Sequence, residues 1–177
     1  EAAPAEESAP CARWSFKELR LGMTAAEVKE QYPSASSVAN DGSLGMGGSA
    51  YRWQHEEQSR LTDFRVIADG DTPEASVVLI NARIRGSGVS PSDLQAALLE
   101  KWGGIAEIEP DADRPGHAKI SGRSVDAACD VRVEFEGEGD GGATDVEITL
   151  FSIQTRQTWQ MQQEEEGAGN KARDLLE

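Results

Sequence analysis

The stretch Phe16–Pro33, FKELRLGMTAAEVKEQYP, carries the signals that decide the fold. Thr24 and Glu27 form the T-x-x-E pattern of a capping box, in which each side chain binds the other residue's backbone N–H at the start of a helix. Pro33 ends that helix, because proline has no N–H to donate and its ring clashes with the preceding turn. The stretch therefore predicts one short helix with defined ends.

Apolar spacing in the same region predicts which side is buried. Val28 and Tyr32 lie four residues apart, so they share one face of the predicted helix and form its buried stripe. Phe16, Leu19 and Met23 also have helical spacing, which predicts a short turn of helix ahead of the main one.

A second helix signal lies at Ser90–Asp93, SPSD. Ser90 suits the N-cap position and Pro91 the first helical position. The helix is predicted over Leu94–Trp102, and Gly103-Gly104 would end it. The chain therefore contains two rough copies of the same helix signal.

Strand-like alternation follows each helix after a loop. Three alternating segments follow the first helix, at Tyr51–His55, Asp63–Val66 and Ala75–Arg85. Residues 129–136 and 145–153 follow the second and form the clearest predicted hairpin. Segments 34–50 and 105–116 are rich in turn residues, and we predict that they are loops.

These elements predict an α+β fold with two helix-plus-antiparallel-sheet units in tandem and the helices packed on one face of the sheet. We expect a disordered acidic spacer over residues 1–10, a first α+β unit over 11–89 and a second over 90–153. Residues 154–177 would be a polar C-terminal tail, partly helical and broken at Gly167-Ala168-Gly169.

The charge balance limits the classes of partner. The formal net charge is −15, with 32 acidic and 17 basic side chains. Nucleic acid is excluded as a partner, because its phosphates require lysine and arginine. Docking on anionic lipid is disfavoured for the same reason. A basic protein partner fits this charge, and so does simple solubility.

The two cysteines, Cys11 and Cys129, are either a disulfide or two buried thiols. The small, acidic, proline-rich segment 1–10 is typical of a mature exported protein, and it also resembles the spacer after the lipidated cysteine of a bacterial lipoprotein. Export to the periplasm or the outer membrane favours a Cys11–Cys129 disulfide, which would contribute about 4–5 kcal/mol in the chain-entropy model.

No pattern for catalysis, a cofactor or a metal stands out. His55 and His117 are the only histidines, and His55-Glu56-Glu57 lacks the second histidine of an H-E-x-x-H site,. Acidic residues at the tip of the predicted 129–153 hairpin do not have the spacing of an EF-hand loop. We therefore expect a protein that is not an enzyme and that holds no cofactor or metal.

The sheet face opposite the helices is the candidate binding surface. Charged groups and aromatic rings combine there as they do in protein interfaces. Tyr51 and Trp53 either join this face or cap the core. The predicted partner-binding residues are Tyr51, Trp53, Arg65, Arg83, Arg85, Arg132, Glu134, Glu147 and Phe151, with Asp63 on the same face.

The phrase Leu21-Gly-Met-Thr-Ala-Ala-Glu-Val28, leading into Tyr32-Pro33, resembles the "G-(M/S)-(T/S)-x-x-E-V" phrase of the β-lactamase-inhibitor-protein-like superfamily. Small exported bacterial lipoproteins are similar. Residues 19–33 carry the match. Residues 90–104 match in their predicted role as a capped helix more than in their amino-acid identities. The resemblance implies an exported, non-enzymatic protein that binds proteins, and it transfers no inhibitory residue to this chain.

Two functions are therefore expected. The first is an inhibitor or immunity protein that neutralises a secreted effector, such as a basic cell-wall hydrolase, since opposite charges speed encounter. The alternative is a structural envelope lipoprotein that scaffolds an outer-membrane assembly. In both, any attachment to a membrane would be through a lipid anchor upstream of residue 1.

Overall fold

The computed structural model describes residues 15–58, 60–85 and 145–176, the backbone of 106–110, 118–123 and 131–138, and Asp93, Ala96, Ala97, Glu100 and Lys101. The helices whose bounds are described are α1 (Ala25–Gln31) and α2 (Ile153–Leu176). The described strands are β1 (Ser15–Phe16), β2 (Leu19–Arg20), β3 (Ser36–Val38), β4 (Ser49–Glu57), β5 (Arg60–Ala68), β6 (Val77–Arg85), β7 (Ala106–Pro110), β8 (Ala118–Arg123), β9 (Val131–Glu138) and β10 (Asp145–Ser152).

Helix α1 has the capping box that the sequence predicts. Glu27 N–H donates to Thr24 Oγ1 at 3.2 Å, and Thr24 N–H donates to Glu27 Oε2 at 2.7 Å. The helix ends at Gln31, one residue before its C-cap and two before Pro33. Ala25 and Val28 are buried, so α1 packs one side against the sheet.

The fold is α+β, as predicted, and its main feature is one antiparallel sheet of eight described strands in the order β3-β4-β5-β6-β10-β9-β8-β7. The order consists of two four-stranded meanders whose last strands, β6 and β10, pair at the centre. Val146 on β10 lies opposite Ile84, and Phe151 lies opposite Leu79. The two halves therefore share one continuous sheet, with β3 and β7 at its edges.

The larger hydrophobic core lies between α1 and the sheet. Its centre is a group of three aromatic rings, from Tyr32 after α1, Trp53 on β4 and Phe64 on β5. The central strands add apolar side chains to the same cluster, and these are Val66, Ile80, Ala82, Val146, Ile148 and Leu150. Burial of this apolar area is the main favourable term that holds the helix side of the sheet together.

A smaller cluster lies on the opposite face of the sheet, at one end. It contains Met46, Ile67, Leu79 and Phe151, and the first turn of α2 covers it. The Arg156 guanidinium lies 3.6 Å from the centre of the Phe151 ring and donates to the Leu44 carbonyl at 2.6 Å. Segment 40–48 and the start of α2 therefore close this end of the face.

Several predicted boundaries differ from the structure. The predicted helical turn over residues 16–23 is wrong, because β1 and β2 form a small hairpin there, with Lys17 at φ 55°. The two predicted loops contain strands β3 and β7. The predicted break in the tail is also wrong, because α2 runs unbroken through Gly167 and Gly169.

Other predictions are confirmed or lie outside the described residues. The predicted hairpin is confirmed as β9 and β10, paired from Val131↔Ser152 to Glu138↔Asp145. Five residues of the second predicted helix are described and are helical, at positions 93, 96, 97, 100 and 101. The cap at Ser90, the spacer over 1–10 and both cysteines lie outside the described residues. No helix within the described ranges is both long enough and apolar enough to cross a bilayer.

Candidate functional site

The sheet surface facing away from α1 carries a continuous set of polar side chains. Alternation along each strand places them on this side, and their contacts across strands confirm it. We call this surface the open face, and its described members are Arg52 and Gln54 on β4, Asp63 and Arg65 on β5, Asn81, Arg83 and Arg85 on β6, and Asp145, Glu147 and Thr149 on β10.

Asp63 lies at the centre of the first half of the open face. Its side chain is only 5% exposed, yet it has three polar neighbours. Gln54 Nε2 donates to Oδ1 at 2.8 Å, Arg52 Nη2 lies 3.7 Å from Oδ1, and Arg85 Nη2 lies 3.3 Å from Oδ2. A buried carboxylate is tolerated only with such compensation, so Asp63 fixes the positions of the groups around it.

A second polar group joins the two halves of the sheet. Asn81 Nδ2 donates to Glu147 Oε1 at 2.8 Å and to Thr149 Oγ1 at 2.9 Å. One row further along, Arg83 Nη2 lies 4.0 Å from Asp145 Oδ2. These contacts cross the β6–β10 junction, so the polar face continues from one half into the other.

A small pocket borders the open face beside edge strand β3. Its volume is about 180 Å³, and it lies between segment 38–44 and strands β4 and β5. Arg52 and Arg65 line it and are directly opposite each other in the β4–β5 register. Two cations are therefore cross-strand neighbours at this pocket.

A larger depression of about 660 Å³ lies on the other side of the sheet, between the β1–β2 hairpin and the end of α1. Tyr32 Oη donates to Glu18 Oε2 at 2.9 Å. The pKa of the Tyr32 hydroxyl is raised mainly by burial and, to a smaller extent, by this hydrogen bond. Lys17 pairs with Glu57 and holds the pKa of Glu57 below its ordinary value. The polar groups of this depression therefore bind one another, and the Lys17–Glu57 pair links the β1–β2 hairpin to β4.

The structure brings together four of the nine predicted partner-binding residues on the open face. These four are Arg65, Arg83, Arg85 and Glu147. Register places Arg132 and Glu134 at the β9 positions opposite Phe151 and Thr149, and their side chains lie outside the described residues.

The three predicted aromatic anchors need correction. Tyr51 and Trp53 are 7% and 4% exposed and belong to the core under α1, so they do not lie on the open face. Phe151 does point away from α1, but it is 2% exposed because the base of α2 and Arg156 cover it. The described surface of the open face therefore consists of side chains in ion pairs and hydrogen bonds, and the three predicted aromatic rings are not exposed on it.

Four members of the open face were missed in the prediction from sequence, and these are Arg52, Gln54, Asp145 and Thr149. The signal for the first two was present, because Arg52 and Gln54 alternate with Tyr51 and Trp53 along one strand. Placing the rings in the core places these two polar residues on the open face.

No metal site in the described part of the chain, and no match to a known protein, adds to this description. Within the described ranges, no group of three His, Cys, Asp or Glu side chains is arranged to hold a metal ion. No protein-family model, curated protein or solved structure matches the chain.

Proposed function

We propose that this chain is an exported, non-catalytic module that binds another protein through the open face of its sheet. It would act as an inhibitor or immunity protein that neutralises a secreted effector. The proposal is supported by polar groups held in fixed positions across four adjacent strands. Fixed groups of this kind set register and specificity in protein interfaces.

The observation that carries the proposal is the arrangement around Asp63. The carboxylate is buried, whereas the side chains of Arg52 and Arg85 remain 45% and 55% exposed. A guanidinium has five N–H donors, so pairing with Asp63 leaves donors for a partner. Because these side chains are already ordered, binding avoids part of the cost of about 0.5–1.5 kcal/mol for each immobilised side chain.

The overall charge of the chain and the charges of the open face act at different distances. The net charge of −15 would attract a basic effector over about 8–10 Å, the screening length at moderate salt,. At contact, the described face presents Arg52, Arg65, Arg83 and Arg85 beside Asp63, Asp145 and Glu147. Capture of a basic protein and local pairing with its acidic side chains are therefore compatible.

The alternative function is a structural envelope lipoprotein that scaffolds an outer-membrane assembly. Helix α2 favours it, because this helix has 24 residues and none of them is buried. Among the described residues, its contacts with the body lie in the first turns, through Ile153, Arg156 and Trp159. A helix that extends so far from the sheet offers a second binding surface, which a scaffold requires.

Affinity capture from an extract of exported proteins, followed by mass spectrometry, tests the proposal. Arg83→Glu reverses a charge on the open face, and Arg60→Glu is the matched control, because Arg60 is exposed on β5 and lies outside that face. We expect the wild type and Arg60→Glu to retain the same protein and Arg83→Glu to lose it. Equal retention by all three would contradict binding through the open face.

A truncation after Gln160 separates the two functions. It removes the exposed part of α2 and leaves Arg156 and Trp159 in place. Loss of the captured protein with this truncation, but not with Arg83→Glu, would favour the scaffold. For the inhibitor, the activity of the purified partner should fall when the full chain is added, and the truncated chain should inhibit it equally.

A further inference from the structure

Arg52 and Arg65 occupy directly opposite positions on β4 and β5, with both side chains on the open face. Directly opposite residues of an antiparallel pair have Cβ atoms about 4.5–5.5 Å apart, and like charges there are destabilising. The repulsion between the two guanidinium groups lowers the stability of the fold. A nearby anion would reduce that repulsion.

The compensation within the described residues is incomplete. Arg52 shares Asp63 with Arg85, so two guanidinium groups divide one carboxylate. Arg65 has no carboxylate oxygen within 4.0 Å among the described residues. Asp41, which also lines the pocket, interacts electrostatically with Arg65, and the N–H of Ser43 donates to Asp41 Oδ1 at 2.9 Å.

The pocket in front of this pair has a fixed shape. Asn40 forms its outer wall and uses both ends of its amide, with Nδ2 donating to the carbonyls of Met46 and Gly48 and Oδ1 accepting from the N–H of Gly42. Ala50 and Ile67 contribute an apolar base beneath the charges. The site therefore combines two cations and one carboxylate, that of Asp41, with a hydrogen-bonded rim and a partly apolar floor.

The geometry points to a carboxylate-binding site between Arg52 and Arg65, which takes an aspartate or glutamate side chain of the protein partner. The inference rests on the proposed function for the source of this carboxylate. Guanidinium groups favour carboxylates because their paired N–H donors match the two oxygens.

The size of the pocket favours a single side chain. Pockets for small molecules and cofactors usually have volumes of about 300–1,000 Å³, whereas this one has about 180 Å³. A carboxylate on a short stem fits that space. An acidic side chain would also provide a contact that the net charge of the chain does not suggest, since −15 alone favours a purely basic surface on the partner.

The first test uses N-acetyl-aspartate amide as the probe and the neutral N-acetyl-asparagine amide as its matched control. Both are titrated at constant ionic strength into ¹⁵N-labelled protein, and the amide signals of Ser43 and Leu44 and the Nε–H signals of Arg52 and Arg65 are followed. We expect saturable shifts with the aspartate probe only. Equal responses to both probes, or none, would overturn the site.

Arg65→Gln is the informative variant, because Arg65 forms no ion pair with a described residue, so its replacement breaks none of the ion pairs described in the fold. Loss of a charge-assisted hydrogen bond should weaken binding of the aspartate probe by about tenfold or more. Arg60→Gln makes the same charge change on the other face of β5 and should bind the probe as the wild type does. Unchanged affinity in Arg65→Gln would also overturn the site.

Binding measurements with the captured partner identify the source of the carboxylate. We expect Arg65→Gln to weaken the complex by about tenfold and Arg60→Gln to leave it unchanged. If the probe binds but the affinity for the partner does not depend on Arg65, then the ligand of the site is not a side chain of the partner. That result would leave the proposal of protein binding intact. If the probe binds and no partner is captured, the proposed function fails and the site serves a free carboxylate.

Discussion

Trp53 stacks on Phe64, with the ring centroids 5.1 Å apart and an angle of 15° between the ring planes. Tyr32 completes the group, with its ring centroid 4.9 Å from that of Trp53. The three rings join α1, β4 and β5, so the packing of the helix on the first half of the sheet depends on them.

Replacing Trp53 by Ala should therefore destabilise the protein. A buried tryptophan truncated to alanine typically costs about 3–5 kcal/mol, because transfer energy is lost and a cavity remains. Trp53→Phe is the matched control, since it keeps an aromatic ring in the stack and removes the indole N–H, which has no hydrogen-bond partner among the described residues. Denaturant unfolding followed by circular dichroism measures both. Wild-type stability in Trp53→Ala would contradict a core role.

The same residue shows where sequence reasoning reached its limit. The alternation of Tyr51–His55 correctly predicts a strand, but period-2 alternation does not state which face meets the helix. On β6 the pattern was sufficient, and Arg83 and Arg85 lie on the open face as expected, in line with Asn81. Polar residues between rings identify two faces, and only the helix packing decides which face is buried.

The sequence patterns do not predict which strands pair when those strands are far apart in the chain. The capping box and the β9–β10 hairpin depend on residues near one another in the chain, and both were predicted. The β6–β10 pairing that joins the halves depends on residues far apart in the chain, such as Asn81 and Thr149, which are separated by 68 positions. β7 was missed because Pro110 indicates a loop, although proline is tolerated on an edge strand,.

The capping box of α1 should make stability depend on pH. The N–H of Thr24 donates to Glu27 and holds the pKa of Glu27 below its ordinary value of 4.5. Because the folded pKa is lower than the unfolded one, this stabilisation is complete above the unfolded value and is lost as pH falls through the folded value. Glu27→Gln should therefore be less stable than wild type at pH 7 and equal to it at a pH below the folded pKa.

Thr24→Ala is the control for that experiment. It removes an uncharged cap acceptor and should cost about 0.5–2 kcal/mol. The uncharged part of that cost should persist at low pH, since the Thr24 hydroxyl does not titrate. Denaturant unfolding at several pH values measures both variants. A gap between the wild type and Glu27→Gln that stays constant with pH would contradict the charged cap.

The predicted Cys11–Cys129 disulfide gives a separate test of export. Titration of thiols in the denatured, non-reduced protein should find none free. Cys129→Ser should lower stability by up to about 4–5 kcal/mol under oxidising conditions, because the cross-link restricts the unfolded chain. Under reducing conditions the variant and the wild type should be equally stable. Two free thiols in the exported protein would contradict the disulfide.

Gly47 should control how α2 is attached. A Cβ atom added at Gly47 would overlap the indole nitrogen of Trp159 and lie 2.7 Å from Cδ1 of that ring. In Gly47→Ala the ring must therefore move, and the contact between α2 and segment 40–48 weakens. Hydrogen exchange should show faster exchange of the amides of residues 157–160, while the protection of β5 and β6 is retained.

Gly167→Ala is the matched control on the same helix and should act in the opposite direction. A Cβ atom at Gly167 meets nothing within 4 Å, so the change introduces no clash. Alanine favours an exposed helix interior over glycine by up to about 1 kcal/mol, so exchange near residue 167 should slow. Faster exchange at 157–160 in Gly47→Ala alone would place the attachment of α2 at Trp159. Unchanged exchange there would show that Arg156 is sufficient to hold the helix on the sheet.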